Sequence, residues 1–311
     1  MCDSSAATNS VLDYNHLSGL RVRGECAASK HPGRREACNP MSSNADQAVD
    51  IRNMELDGHA QTIPLRTYRP SGRRGVLPVI FFFHGGGFVK GTPEQADPVC
   101  SQLAARVDAL VVSVGYSLAP AFPFPTALHD GFLAAQWVVT HARAFHADVK
   151  RMAVAGHDAG GNVAAGLAAM VRDQAPFRFS AQALLAPLLD PSMTRIADLD
   201  DEITPDMCAE ECASGYRAYL PVASLRLHPY AAPIESRRLA GLPAAFIASA
   251  ENDLMHVEAE RYAAGLITAG VPTTVTRYRS VAHYELASRQ EVIADVAAFF
   301  SKELGSASKR S

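Results

Sequence analysis

Tryptophan is almost missing from this 311-residue chain, which has only Trp137, and cysteine is scarce, with six residues. So few cysteines in so long a chain cannot make the dense disulfide framework of a small secreted domain. Cys208 and Cys212 stand four apart on an expected helix, but no His or Cys pair follows at zinc spacing. Reduced thiols are the plainer reading, and no metal or other cofactor is expected. A surplus of either charge is missing too: 29 basic residues face 32 acidic ones, for a net charge of −3. That balance gives no field to gather nucleic acid or an anionic membrane. No apolar run reaches the ~18 residues a spanning helix needs. The first twenty residues lack a basic start and an apolar stretch, so a cytoplasmic chain without a secretion signal is expected. What the chain does have is apolar bulk. Hydrophobic residues make up 48% and charged residues 20%, a globular balance. A chain this long can bury roughly 75% of its unfolded surface and needs no staples.

Residues 1–46 are polar and punctuated by His31, Pro32, Gly33 and Pro40, and read as an N-terminal arm or cap element. Residues 47–304 read as one α/β domain, followed by a short tail, 305–311. Within the domain, IRNMEL (51–56) and IPLRTY (63–68) alternate like half-buried strands. VLPVIFFF (76–83), ALVVSVGY (109–116), RMAVAG (151–156), SAQALLAPL (180–188) and LPAAFIASA (242–250) are continuous apolar runs. Such runs suit strands buried on both faces of a parallel sheet. Segments of helical period lie between them, at about 94–106, 127–145, 160–173, 257–269 and 289–304. The alternation predicts a doubly wound, mostly parallel α/β sheet. Residues 190–235 interrupt it with an acidic, helix-like stretch that reads as an insertion.

Three features fall at strand ends, where open α/β sheets place their sites. His84-Gly85-Gly86-Gly87-Phe88 follows the strand VIFFF, and its glycines can turn sharply and aim bare N–H groups at one point. Alone, it could be no more than a tight turn, with His84 as a brace. Gly156-His157-Asp158-Ala159-Gly160-Gly161 joins the strand RMAVA to the helix NVAAGLAAMV. It has the glycine spacing of a nucleophile elbow, which thrusts its central side chain out at a helix N-terminus. The central residue is Asp158. Asp253 and His283 each follow a late strand, in the chain order of the α/β-hydrolase triad. Either residue alone would more often be structural.

Taken together, HGGGFVKG (84–91), YSLAPAFPFPTALHD (116–130), GHDAGGNVAA (156–165), HPYAAP (228–233) and GLPAAFIASAENDL (241–254) resemble the hormone-sensitive-lipase-like branch of the α/β-hydrolases, which includes many bacterial esterases. The resemblance runs from about 50 to 304. It implies an α/β-hydrolase fold and an ester hydrolase, capped by the N-terminal arm and the 190–235 insert. It also implies an oxyanion hole from the N–H groups of Gly86, Gly87 and Ala159, with Asp253 orienting His283 as general base.

Three positions around the site depart from that family: Asp158 replaces its serine, His157 its usual acidic neighbour, and Tyr284-Glu285 its usual Gly-Phe. A model Asp has a pKa of about 3.9, so it is anionic at neutral pH and needs no base to activate it. It could attack a substrate carbon and leave His283 to activate water afterwards. Alkyl esters are the harder substrates. A carboxylate leaves a tetrahedral adduct far more readily than an alkoxide, their conjugate acids differing by on the order of 10 pKa units. Activated esters and lactones are easier. Asp158 and His283 could also activate water together against a carbonyl held in the glycine loop.

Two other readings stay open. One is an Asp-nucleophile hydrolase of epoxides, with Tyr216 and Tyr219 in the insert as donors, although helix packing explains both tyrosines more simply. The other is a catalytically silent ligand-binding homologue, because two carboxylates around one histidine can lock it as an imidazolium. Trp137 alone excludes a two-tryptophan halide clamp. The partner expected is a small-molecule substrate, with self-association left open.

Overall fold

The computed structural model describes residues 48–195 and 208–305. The expected arm, nearly all of the tail and residues 196–207 of the insert lie outside them. The chain opens with an antiparallel hairpin, β1 (Val49–Asp57) and β2 (Thr62–Pro70). Then come β3 (Leu77–Phe83), α1 (Asp97–Val107), β4 (Leu110–Val114), α2 (Thr126–Thr140) and the short α3 (Ala142–Phe145). β5 (Ala147–His157), α4 (Ala159–Gln174) and β6 (Ala181–Leu185) form the centre, and α5 (Ala209–Tyr219) lies in the insert. β7 (Ala244–Ala250), α6 (His256–Thr268), β8 (Thr273–Tyr278) and α7 (Gln290–Glu303) complete the domain. The strands form one sheet in the order β1-β2-β4-β3-β5-β6-β7-β8, parallel from β4 to β8. This is the α/β-hydrolase fold.

The apolar runs are continuous because the sheet has two covered faces. In β3, Phe81 and Phe83 point into one core with Val154, Val138 of α2, Leu167 of α4 and Leu266 of α6. Ile80 and Phe82 point into the other, with Leu103 of α1 and Phe300 of α7. Each buried phenylalanine or isoleucine contributes about 1.5–3 kcal/mol, so β3 alone anchors both layers.

Two expectations are corrected. Among the described residues β1 is not half-buried: it pairs only with β2, only Leu56 is fully covered, and Ile51 is exposed. The helix expected through 145 ends at Thr140. There His141 donates its backbone N–H and its Nδ1–H to the Trp137 carbonyl, both at 2.9 Å, and closes the last turn.

The insert is fastened at both ends. Arg195 pairs with Asp190 at 2.6 Å, just after β6, and with Glu235 at 2.7 Å, just before β7. In the middle, Tyr219 of α5 stacks on Phe88 at 4.0 Å, and its carbonyl accepts the Phe124 N–H at 2.9 Å. Gly215 backs onto the glycine loop so closely that a Cβ there would strike the Gly87 carbonyl. Among the described residues, no helix is long and apolar enough to cross a membrane.

Candidate active site

The turn between β5 and α4 holds Asp158 at φ 56°, ψ −122°. That left-handed conformation costs a non-glycine residue about 1–3 kcal/mol and persists only where its surroundings impose it. Here they do. The Asp158 N–H donates to Leu185 O at 3.0 Å, and its carbonyl accepts the Gly161 N–H at 2.9 Å. Strand and helix then crowd together: a Cβ on Gly156 would strike the Gly160 carbonyl, and one on Gly160 the carbonyl of Phe83. The elbow spacing therefore has a steric cause.

The structure brings Asp158, His283 and Asp253 together. Asp253 and His283 follow β7 and β8, and both are fully buried. His283 Nδ1 donates to Asp253 Oδ2 at 2.9 Å, while Asp253 Oδ1 accepts the Met255 N–H at 2.9 Å. His283 Nε2 therefore faces the elbow, 3.6 Å from Asp158 Oδ1. The other oxygen, Asp158 Oδ2, accepts the N–H groups of Gly86 at 2.7 Å and Gly87 at 2.8 Å. The aspartate thus occupies the loop's two donors itself. Ala159, the third residue expected there, is buried at the first turn of α4, and the hydrogen bonds to the carboxylate come from the two glycines.

These contacts set the charges. Burial opposes ionisation of Asp158, but the contact with His283, and more weakly His157 and the Gly86 N–H, hold its carboxyl well below the usual range. Burial also opposes a charge on His283, yet its two carboxylate neighbours push it up to about 10. The two carboxyl groups on either side thus favour its protonated form. His157, half-buried beside that ring, is brought down to about 4 by loss of solvent and by the neighbouring His283.

Two cavities flank Asp158, of about 320 Å³ and 240 Å³, and Gly86, Lys90 and Tyr284 border both. The larger also reaches His157 and Gln95, the smaller Cys212 and Ser214 of α5. Lys90 and the α5 residues lie inside motifs and segments legible in the sequence, but nothing in their spacing signals a place at the rim. His84 is the expected brace: its ring stacks on Tyr116 at 4.4 Å, and its carbonyl accepts the Tyr116 hydroxyl at 2.9 Å. Tyr216 and Tyr219 pack around Phe88 and border neither cavity. Beneath the site, the buried carboxyl of Glu258 accepts the Leu189 N–H at 2.9 Å, and burial raises its pKa well above the usual value. Among the described residues, no group of three or more His, Cys, Asp or Glu side chains is arranged to hold a metal.

Chemically, the site offers a carboxylate with one oxygen fixed by two N–H donors. Its other oxygen stands 3.6 Å from the His283 imidazole.

A family model described as the α/β hydrolase fold matches residues 80–286. Esterase LipI of Mycobacterium tuberculosis is 37% identical over 75% of this chain and 74% of its own length. Carboxylesterase NlhH of the same species is 33% identical over 80% and 79%. The hyperthermophilic esterase of the archaeon Pyrobaculum calidifontis superposes with a TM-score of 0.75 at 34% identity, over 83% of this chain and 85% of that one. With its sheet order, its elbow and these matches, the chain belongs to the α/β-hydrolase family.

Proposed function

We propose that this chain is a carboxylic-ester hydrolase that acts on small strained lactones through a covalent ester on Asp158. One observation carries the reading: Asp158 Oδ2 sits on the Gly86 and Gly87 N–H groups, Oδ1 stands 3.6 Å from His283 Nε2, and the residue borders both cavities. A substrate carbonyl has no place on donors already filled, so attack by Oδ1 at a saturated carbon is the favoured first step. In a strained lactone, Oδ1 bonds to the ring carbon bearing oxygen, the C–O bond breaks, and the electron pair leaves on a carboxylate. That leaving group needs no proton.

The second step is itself the hydrolysis of a carboxylic ester. With Asp158 esterified, His283 faces one anion instead of two and gives up its proton to the released carboxylate or to solvent. Neutral His283, oriented by Asp253, then takes a proton from water as that water attacks Cγ. The developing oxyanion is Oδ2, already on the Gly86 and Gly87 donors, where such stabilisation contributes about 2.7–4 kcal/mol per donor. Collapse expels the product oxygen, which takes the proton back from His283. The new carboxylic acid then returns its own proton to that ring, restoring carboxylate and imidazolium. In this reading, the Gly86 and Gly87 donors, His283 and Asp253 act on the protein's own ester. The insert around α5 serves as the cap, supported by Gly215 against Gly87 and by Cys212 at the cavity wall.

Epoxides offer the same saturated carbon but release an alkoxide that must be protonated. The imidazolium of His283 could supply that proton, whereas Tyr216 and Tyr219 lie off the cavities. Epoxides are therefore the second reading.

The test is a single turnover of β-butyrolactone in ¹⁸O water with enzyme in excess, followed by peptide mass spectrometry. Label is expected in the Asp158 carboxylate and absent from the first product. Label in the first product alone overturns the covalent route. Binding without turnover of lactone, p-nitrophenyl ester or epoxide would leave a ligand-binding homologue.

A further inference from the structure

The mechanism above leaves one group beside the nucleophile unused. His157 ends β5, directly before Asp158, and its half-buried ring borders the larger cavity. Its Nε2 lies 3.1 Å from the carbonyl oxygen of His283. A carbonyl only accepts, so Nε2 carries the proton and Nδ1 carries a lone pair. Nδ1 is turned toward Gly85: a Cβ built on that glycine would stand 2.9 Å from His157 Nδ1 and 3.3 Å from Asp158 Oδ2. Gly85 is therefore packed tightly against both groups, and all three residues border the larger cavity, so the acceptor and the carboxylate share one wall of it. The two histidine rings are 5.1 Å apart and bracket Asp158.

The geometry points to His157 Nδ1 as the acceptor that holds the hydrolytic water beside Asp158 Cγ. This assignment rests on the covalent reading of Asp158. The water gives one O–H to Nδ1 as a hydrogen bond and surrenders the other proton to neutral His283 when it attacks. His157 keeps the same protonation state throughout, its one proton held on Nε2 by the His283 carbonyl. It would act only in the second half of the reaction, because formation of the aspartyl ester involves no water.

Two substitutions separate this role from simple bracing of the His283 loop. His157→Gln keeps an N–H at the Nε2 position, able to reach the His283 carbonyl, but removes the acceptor from the Nδ1 position. His157→Asn does the reverse, leaving a carbonyl oxygen near Nδ1 and losing the distal donor. Each variant, with circular dichroism as the folding check, is mixed with β-butyrolactone, quenched over time and weighed intact. His157→Gln is expected to form the adduct at the wild-type rate but to hydrolyse it about 100-fold more slowly, the order of loss for a misplaced reactant. His157→Asn should clear the adduct nearly as fast as wild type. Accumulation in His157→Asn but not in His157→Gln makes His157 a brace and overturns the inference. Equal behaviour of the two variants overturns it as well. His283→Gln is the control, since it removes the base and should trap the adduct. If a trapped adduct appears there while His157→Gln hydrolyses normally, only the water-holding role fails. If no adduct appears even in His283→Gln, the covalent route fails and takes this role with it.

Discussion

His283 Nε2 stands 3.6 Å from one oxygen of Asp158 while the other oxygen of the same carboxylate is held by the Gly86 and Gly87 N–H groups. A single side chain thus spans the two places that a serine enzyme gives to different molecules: the nucleophile's oxygen and the substrate's oxyanion. Exchanging that side chain separates the two.

Asp158→Ser empties the donors and places a hydroxyl before His283, which then faces only Asp253. Its pKa falls, and it becomes a base at neutral pH. Activity on p-nitrophenyl acetate should rise by on the order of 10³-fold, the scale of contribution from an oxyanion hole and base working on a proper nucleophile. An unchanged rate in a spectrophotometric assay would mean that His157 and Tyr284 have reshaped the pocket beyond repair by one residue.

Asp158→Asn keeps the shape and removes the charge. It should form no covalent adduct with β-butyrolactone or 1,2-epoxybutane in intact-mass experiments. In the wild type, adduct formation should stay flat between about pH 5 and 8, because the Asp158 carboxyl is held well below a model value of about 3.9 and is ionised throughout. An adduct on the asparagine variant would place the nucleophile elsewhere.

Stability should carry the mark of the buried imidazolium. His283 is raised to about 10, so its contribution is fully present below its unfolded pKa of about 6.5 and fades as pH rises toward 10. His157 has the opposite sign: lowered to about 4, it resists protonation in the folded state and costs stability as pH falls from about 6.5. Below about pH 4, the depressed pKa of Asp158 adds to that acid loss. Calorimetric Tm should therefore decline on both sides of about pH 6.5. His283→Gln should flatten the alkaline limb and, because the His283 charge depresses both Asp158 and His157, shrink the acid loss as well. If both limbs of that variant match the wild type, His283 is neutral at rest.

Gly215→Ala tests the seat of α5. Its methyl group meets the Gly87 carbonyl, and overpacking of this kind costs about 1–3 kcal/mol. The unfolding free energy from denaturant titration should fall by that amount, and the tilt imposed on Gly87 should slow adduct hydrolysis more than adduct formation. A silent substitution would mean that α5 stands off the loop in solution.

Much of this was legible in the residues. LPVIFFF could only be a strand covered on both sides, and the glycines of GHDAGG announced a crowded turn whatever stood between them. Asp253 and His283 were readable because each follows a late strand in a fixed chain order. The occupation of Gly86 and Gly87 by Asp158 was not readable. It depends on one carboxylate rotamer and a loop 71 residues away in sequence. Nor did any pattern reveal that His157 turns its Nε2 to the His283 carbonyl, 126 positions on. The alternation of IRNMEL misled because hydrophobic period describes which side of a strand is apolar, while burial depends on whether anything lies against it.

The clasp made by Arg195 on Asp190 and Glu235 bears on how such a protein can change over evolutionary time. Both ends of the insert are tied at one point beside β6 and β7, so the intervening chain is a handle on a fixed hinge plate. Outside the α5 face that packs on Gly87 and Phe88, its length and composition can be rewritten without disturbing the strands that lead to Asp158 and Asp253. Choice of substrate can then drift through that handle while the reaction itself stays under separate selection, provided that the three clasp residues are inherited together.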